Sequence, residues 1–239
     1  MLQANQFTPV TFEAVVVGYQ LTKSIGRLAA RLLAAHGDLI DDEFGFRIPN
    51  RSAMGGHLQL AFRDRGLLNV TNCWARFEGS FPQEVGPGPA WASEPVQWAV
   101  DLMMSVVDAQ KSPVASLNFE VTWLLLGHSS TDALVAHLGL SQSLGGFFAS
   151  SRDFEIRGDT NAELPDLFPV GCEVFAGRLS DLDDAESVGV QIKHRSPDNR
   201  LDLDAPVNFT RVTVDQFFAL SPQLMERQLA QYFPTQGAT

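Results

Sequence analysis

The sequence contains little cysteine. Only Cys73 and Cys172 occur among 239 residues, one in each half of the chain. Two cysteines so far apart support neither a disulfide framework nor a clustered metal site. Because an unpaired cysteine behaves as a small apolar residue, we expect both thiols to be buried. The sequence offers no pattern that predicts a cofactor.

Basic residues and long apolar runs are also scarce. Lysine and arginine number 17 against 28 aspartates and glutamates, which gives a formal charge of -11. Such a field repels phosphate backbones and anionic lipids, so nucleic acid is a disfavoured partner. No apolar run approaches the ~18 residues of a membrane span, and residues 1–9 lack the pattern of an export signal. We expect a cytoplasmic protein with no membrane partner.

Apolar residues make up 45% of the chain, which is enough to build a large core. Residues 10–19 are rich in β-branched and aromatic side chains and predict a buried strand. From the capping residue Thr22 to Gly37, apolar residues at helical spacing predict the first helix. Its apolar stripe consists of Ile25, Leu28, Ala29, Leu32 and Leu33. Three further strands are predicted at 44–48, 57–63 and 67–77, with an Arg65-Gly66 turn between the last two.

Proline and glycine dominate residues 82–95, which predicts a linker. Beyond the linker, helices are predicted at 96–110, 130–138 and 214–233, the last kinked or restarted at Ser221-Pro222. Predicted strands in this part span 116–125, 153–157, 171–179, 188–195 and 201–209. Both parts of the chain therefore follow the order strand, helix, strands, helix.

This order predicts an α+β fold of two similar halves, each a mainly antiparallel curved sheet with helices on one face. The predicted domains are 1–81 and 96–239, joined by the 82–95 linker, or one continuous pseudo-symmetric domain. A local match supports an internal duplication, because Phe12-Glu13 in the first half corresponds to Phe119-Glu120 in the second. The element order resembles helix-grip and TATA-binding-protein-like arrangements, a likeness of architecture that assigns no function.

One segment has part of a catalytic pattern. Gly127-His128-Ser129-Ser130 follows an apolar strand and precedes a helix, as the nucleophile of an esterase does. Asp183, or its neighbours at 181 and 184, and His194 would complete a serine hydrolase in the right chain order. Thr131 stands where that motif needs a second glycine, however, and the surrounding strands predict a meander. The alternative, which we favour, is that Ser129 or Ser130 caps a helix.

No metal site is predicted. The histidines His36, His57, His128, His137 and His194 are scattered, and we interpret them as surface or helix-end residues. The acidic segment 181–186 offers oxygen ligands but lacks the glycine turn and terminal glutamate of a calcium loop. We interpret this segment as a solvated turn.

Candidate partner-binding residues lie on the first helix and in the linker. Lys23, Arg27 and Arg31 recur every four residues and line one helix face, where they could bind a carboxylate or phosphate group. The alternative is an ordinary solvated helix face, because long cationic side chains usually remain in water. Trp91 would be a contact residue if its indole were exposed.

The sequence favours a non-catalytic protein that binds another protein, as an adaptor, antitoxin, immunity protein or complex subunit would. We expect it to act through an acidic surface and through sheet edges. The first alternative is a helix-grip-like protein that binds a small molecule in an apolar cavity. Phe217, Phe218, Met225 and Tyr232 would line that cavity instead of filling the core. The second alternative is the serine hydrolase with Ser129 as nucleophile.

Overall fold

The computed structural model describes most of the chain, in segments separated by gaps. These segments are residues 2–18, 25–41, 46–47, 57–82, 94–109, 114–125, 131–137, 155–165, 167–178, 188–197 and 209–234. The strands are β1 (Phe7–Gly18), β2 (Phe46–Arg47), β3 (Leu58–Phe62), β4 (Gly66–Val70), β5 (Trp74–Ser80), β6 (Val114–Leu125), β7 (Glu155–Glu163), β8 (Pro169–Arg178) and β9 (Val188–Arg195). The helices are α1 (Ile25–His36), α2 (Glu94–Asp108), α3 (Thr131–His137) and α4 (Arg211–Tyr232).

The nine strands of the described residues form one sheet in the order β2-β3-β4-β5-β1-β6-β9-β8-β7. Every paired neighbour is antiparallel, which confirms the predicted α+β class and its antiparallel sheet. Strands on both sides of the predicted linker belong to this sheet, because β1 pairs with β6 along almost its whole length. The division of the chain into domains stays a prediction.

Alternation along the two central strands creates one apolar and one polar face. Phe12 and Ala14 of β1 are buried, and Phe119 and Val121 of β6 are buried beside them. The Phe12 ring lies 6.3 Å from the Phe119 ring, measured between centroids. Burial of these side chains is the main stabilising contribution to the sheet, since apolar burial is worth about 25 cal/mol per Å².

Helices cover the apolar face. In α1 the buried residues are Ile25, Leu28, Ala29 and Leu32, whereas Leu33 of the predicted stripe remains 39% exposed. Trp98 of α2 packs edge-on against Phe77 of β5, and Phe218 of α4 packs edge-on against Phe119. The apolar face is thereby closed by α1, α2 and α4. No helix in the described residues is long and apolar enough to span a membrane.

The last helix differs from its prediction. Helix α4 begins at Arg211, where the Thr210 hydroxyl caps it by accepting a hydrogen bond from the Thr213 amide at 3.2 Å. It then continues through Pro222 without restarting. A proline removes one helical hydrogen bond, but buried residues on both sides, including Phe218 and Met225, hold the two halves of the helix against the sheet.

The prediction of one strand over residues 67–77 is wrong. The chain turns at Thr71, whose hydroxyl accepts hydrogen bonds from the amides of Cys73 and Trp74, each at 3.2 Å. This local side-chain turn ends β4 and starts β5. Cys73 is exposed in the turn, contrary to the expected buried thiol, whereas Cys172 is buried as expected.

Other predicted elements agree with the structure to different extents. The turn predicted at Arg65-Gly66 lies at residues 63–65, immediately before β4 begins at Gly66, with Asp64 and Gly66 at positive φ and β3 paired to β4. The predicted strand at 153–157 is longer in the structure, as β7, and β9 has its predicted bounds. Of the strand predicted at 201–209, only Phe209 lies within the described residues, where it bridges Val114.

The close packing above β5 leads to a prediction for Gly79. A Cβ atom placed there would overlap the ring of Phe12 and lie 2.9 Å from Cε1 of Phe77. We expect Gly79→Ala to lower the free energy of unfolding by about 1–3 kcal/mol through overpacking. The matched control is Gly158→Ala on β7, where a Cβ meets nothing within 4 Å and the change should stay within about 0.5 kcal/mol. Equal effects in urea denaturation would contradict this packing.

Candidate functional site

The polar face of the sheet, opposite the helices, carries a groove of about 910 Å³. We call this side the open face. Its central side chains are Thr11 and Glu13 of β1 with Glu120 and Thr122 of β6. These residues alternate with the core residues of the same strands, so they point away from α2 and α4. The other lining residues come from strands β4, β5, β9, β8 and β7.

Cross-strand register places charged residues in one line across the open face. The successive partners on six adjacent strands, from β5 to β7, are Glu78, Glu13, Glu120, Lys193, Glu173 and Asp159. We call this line the acidic row. Neighbouring strands lie about 4.8 Å apart, and like charges placed directly opposite each other are destabilising. The row therefore depends on nearby cations.

Those cations come from the strands beside β1 and β6. Arg76 bridges two members of the row, with Nη2 at 2.6 Å from Glu13 Oε2 and Nε at 2.9 Å from Glu78 Oε1. Lys193 Nζ lies 3.0 Å from Glu120 Oε2. The Gln191 amide also donates to Glu120 Oε1 at 2.6 Å. Glu13 is thus held by an arginine, whereas Glu120 is held by a lysine and a glutamine amide.

On the outer strands of the open face, carboxylates are likewise paired with cations. Arg195 Nη2 lies 2.6 Å from Glu173 Oε2, and Arg157 pairs with Glu155. Among the described residues, six carboxylates and four cations line the groove, so negative charge is in excess, and each of these cations pairs with at least one carboxylate. The groove is a mixed-charge surface with a net negative balance.

Glu13 is an acid of this surface whose pKa is shifted from its ordinary value. Its side chain is only 17% exposed although it faces the groove. Burial raises the pKa of Glu13, Arg76 opposes that rise, and the Glu120 carboxylate adds to it. Glu13 therefore retains a proton to higher pH than an ordinary glutamate does.

Of the residues singled out from sequence, the three that the structure describes, Arg27, Arg31 and His194, do not line this groove. Arg27 and Arg31 are exposed on α1, on the side of the sheet that the helices cover. Lys23, Trp91, Ser129 and Asp183 lie outside the described residues. The partner-binding roles of Lys23, Arg27, Arg31 and Trp91 and the hydrolase hypothesis therefore stay predictions.

His194 lies on the core side of β9, and its interpretation as a surface or helix-end residue is wrong. Its side chain is fully buried under α4, with Nε2 at 2.9 Å from Gln228 Oε1. Gln228 Nε2 in turn lies 3.4 Å from Cys172 Sγ. Burial lowers the pKa of His194, so the neutral imidazole is favoured. A catalytic base at this position would be shielded from substrate on the open face.

His137 illustrates the helix-end role expected for histidine. It ends α3, and its Nδ1 accepts a hydrogen bond from the Leu2 amide at 3.0 Å. Its Nε2 is therefore the protonated nitrogen, which donates to the Tyr232 carbonyl at 2.9 Å. This ring ties the N-terminal segment to the end of α4. Within the described residues, no group of three or more possible metal ligands occurs.

Sequence reasoning missed the acidic row, although part of its signal was visible. The repeated Phe-Glu pair, Phe12-Glu13 and Phe119-Glu120, marks the two central strands. Alternation also indicates that each glutamate faces away from its buried phenylalanine. What could not be read was that β1 and β6 pair so that Glu13 stands directly opposite Glu120.

The raised pKa of Glu13 predicts a pH-dependent gain from Glu13→Gln. The folded state holds this proton above the ordinary pKa of 4.5, so the carboxyl's contribution to stability declines as pH rises through the folded-state pKa. Glutamine cannot ionise, and the variant should therefore gain stability relative to the unmodified chain between about pH 4 and about pH 7. Urea denaturation across this range measures the difference, and a constant difference would contradict a buried, perturbed Glu13.

His194 gives the opposite dependence. Because its folded-state pKa lies below the ordinary 6.5, the unfolded chain takes up a proton first, and stability falls as pH drops below that value. In His194→Gln this part of the acid destabilisation should disappear, even if the variant is less stable at every pH. Chemical denaturation between about pH 5 and about pH 8 separates the two effects. An unchanged acid slope would show that His194 is not buried as a neutral ring.

Comparison with known proteins adds little to this geometry. No family model matches the chain, and no curated protein does. A solved structure, described as the di-domain ARO/CYC StfQ from the steffimycin biosynthetic pathway, aligns over 93% of this chain and 97% of its own at 11% identity. The TM-score of that alignment is 0.21, a level at which the likeness supports no conclusion on fold or function.

Proposed function

We propose that this chain is a non-catalytic binding protein that engages another protein through its open face. The observation that carries the proposal is the acidic row, which aligns charged side chains from six adjacent strands on the side that α1, α2 and α4 leave uncovered. Complementary charge speeds the encounter of two proteins and selects between partners. An adaptor, antitoxin, immunity protein or complex subunit would use such a surface.

The charge balance of the groove favours a protein partner over nucleic acid. Arg76, Arg157, Lys193 and Arg195 each pair with a carboxylate of the same face. A phosphate backbone would have to displace these carboxylates and would meet a chain of formal charge -11. A partner with basic groups meets the excess carboxylates directly.

Packing on the other side of the sheet argues against the cavity alternative. Phe217, Phe218 and Met225 are fully buried, and the rings of Phe217 and Phe218 lie 5.5 Å apart in an edge-on contact. The Phe168 ring also stacks on Phe217, with 6.2 Å between the ring centroids. These side chains contact one another and the sheet, which supports a role as core residues. Tyr232, the fourth proposed lining residue, is 39% exposed.

A sheet edge belongs to the same proposal. Strand β7 is last in the strand order, and most of its nine residues are exposed. An edge strand has main-chain donors and acceptors on one side that another strand can pair with. We give this edge second place, because main-chain pairing alone offers less selectivity than a charged face.

An internal duplication is also part of the proposal. On each side of the β1–β6 pair the first strand neighbours the last strand of its group, as β1-β5-β4-β3 and β6-β9-β8-β7. The matched glutamates Glu13 and Glu120 face each other across the pair. A pseudo-two-fold axis between these two residues would relate the halves.

Charge reversal tests the proposed surface. Glu78 is 45% exposed, so Glu78→Lys should fold normally while it weakens the complex with the natural partner by about tenfold, because it places repulsion in the interface. The matched control is Arg31→Glu, which reverses an exposed charge on α1. Partner recovery from native lysate, quantified by mass spectrometry, compares the two variants. If Arg31→Glu alone abolished partner recovery, the interface would lie on the basic face of α1, and the open-face proposal would be overturned.

A further inference from the structure

We infer that the occupant of the open face is an α-helical segment with basic residues along one side, lying across the strands. This inference rests on the proposed function and specifies the partner's chemistry. It follows from the direction of the acidic row, which runs perpendicular to the strands and not along any one of them. A complementary ligand must therefore carry its charges at the strand spacing.

That spacing matches a helix. Glu78, Glu13 and Glu120 occupy three adjacent strands, so they span about 9.6 Å at about 4.8 Å per strand. Residues i, i+4 and i+7 of an α-helix share one face and span about 10.5 Å at about 1.5 Å per residue. In an extended peptide, three successive residues on one face span about 13 Å. An extended segment would therefore fall out of alignment with the three carboxylates, whereas a helix would stay aligned with them.

Lys193 adds a requirement on the partner's sequence. It follows Glu120 in the row, and Glu173 and Asp159 come after it. A helix laid along the row places position i+11 near Lys193, where an acidic residue is favoured, and positions i+14 and i+18 near the last two carboxylates. The two spacings drift apart by about 3 Å over the row, which flexible lysine side chains can accommodate.

The residues beside the acidic row leave room for a helix. On the open face of β1 and β6, the residues on one side of the acidic row are Thr11 and Thr122, and those on its other side are Val15 and Asn118. None of these side chains is long, so the centre of the groove is the part that a helix of about 10 Å diameter can approach most closely. The long cations Arg76 and Arg195 stand on either side of this centre.

Designed peptides test the inference directly. The matched peptide is an alanine-based helix with lysine at i, i+4, i+7, i+14 and i+18 and glutamate at i+11, and the control peptide has the same composition with its charges distributed around the helix. Fluorescence anisotropy with the full chain should show the matched peptide binding at least about tenfold more tightly. The preference should shrink as salt rises, because exposed charge pairs are screened.

A charge swap identifies the contact. Glu78→Lys should weaken the matched peptide, and the peptide whose lysine at i is replaced by glutamate should recover affinity for Glu78→Lys but not for the unmodified chain. Glu173→Lys provides a second variant, since its side chain is 41% exposed and the substitution should not disturb folding. Circular dichroism and thermal unfolding of both variants confirm that they remain folded.

The outcomes separate the two proposals. Equal affinity for matched and control peptides, or tighter binding of duplex DNA than of either, would overturn the helix inference. If neither peptide binds while Glu78→Lys still disrupts the natural complex, this inference fails and the proposed function stands. If Glu78→Lys also leaves the natural complex intact, the open face is not the interface and both proposals fail.

Discussion

The pairing of β1 with β6 is the interaction on which the rest of the structure depends. It joins strands from both sides of the 82–95 segment into a single nine-stranded sheet. Because side chains alternate along a strand, the register that aligns Phe12 with Val121 also aligns Glu13 with Glu120 on the other face. A shift of one residue would place carboxylates in the core and phenylalanines in the groove. Core packing therefore selects the register, and this register also sets which side chains lie opposite each other on the open face.

The two faces contribute to stability in different ways. On the apolar side, Phe12 and Phe119 lie under the helices, Phe218 of α4 packs against Phe119, and the burial of these rings stabilises the fold. On the open side, Glu13 and Glu120 repel each other, and Arg76 and Lys193 offset that repulsion. Partly exposed ion pairs contribute little to stability, about 0–1 kcal/mol each. A surface that is costly in itself and only partly compensated is consistent with the binding role that we propose for it.

Buried polar groups on the helix side show how closely the sheet and α4 are matched. His194 and Cys172 are cross-strand partners on β9 and β8, and both meet Gln228 of α4. A glutamine amide can both donate and accept, so it can serve two different side chains in the same interface. This contact helps to position α4 over strands β8 and β9. The open face is formed by the alternate residues of the same strands, whose side chains point to the other side of the sheet.

The sequence by itself determined several of the helices and strands and their apolar faces. Periodicity located α1, β6 and β9, because each pattern is local and the neighbours along the chain create it. The Thr71 turn within 67–77 is a local feature, whereas only the tertiary structure decided the burial of His194 and the opposition of Glu13 and Glu120. The turn depends on one hydroxyl that captures two amides, which periodicity does not register. Strand pairing and register join residues far apart in sequence, and they are chosen by the packing of the whole apolar face.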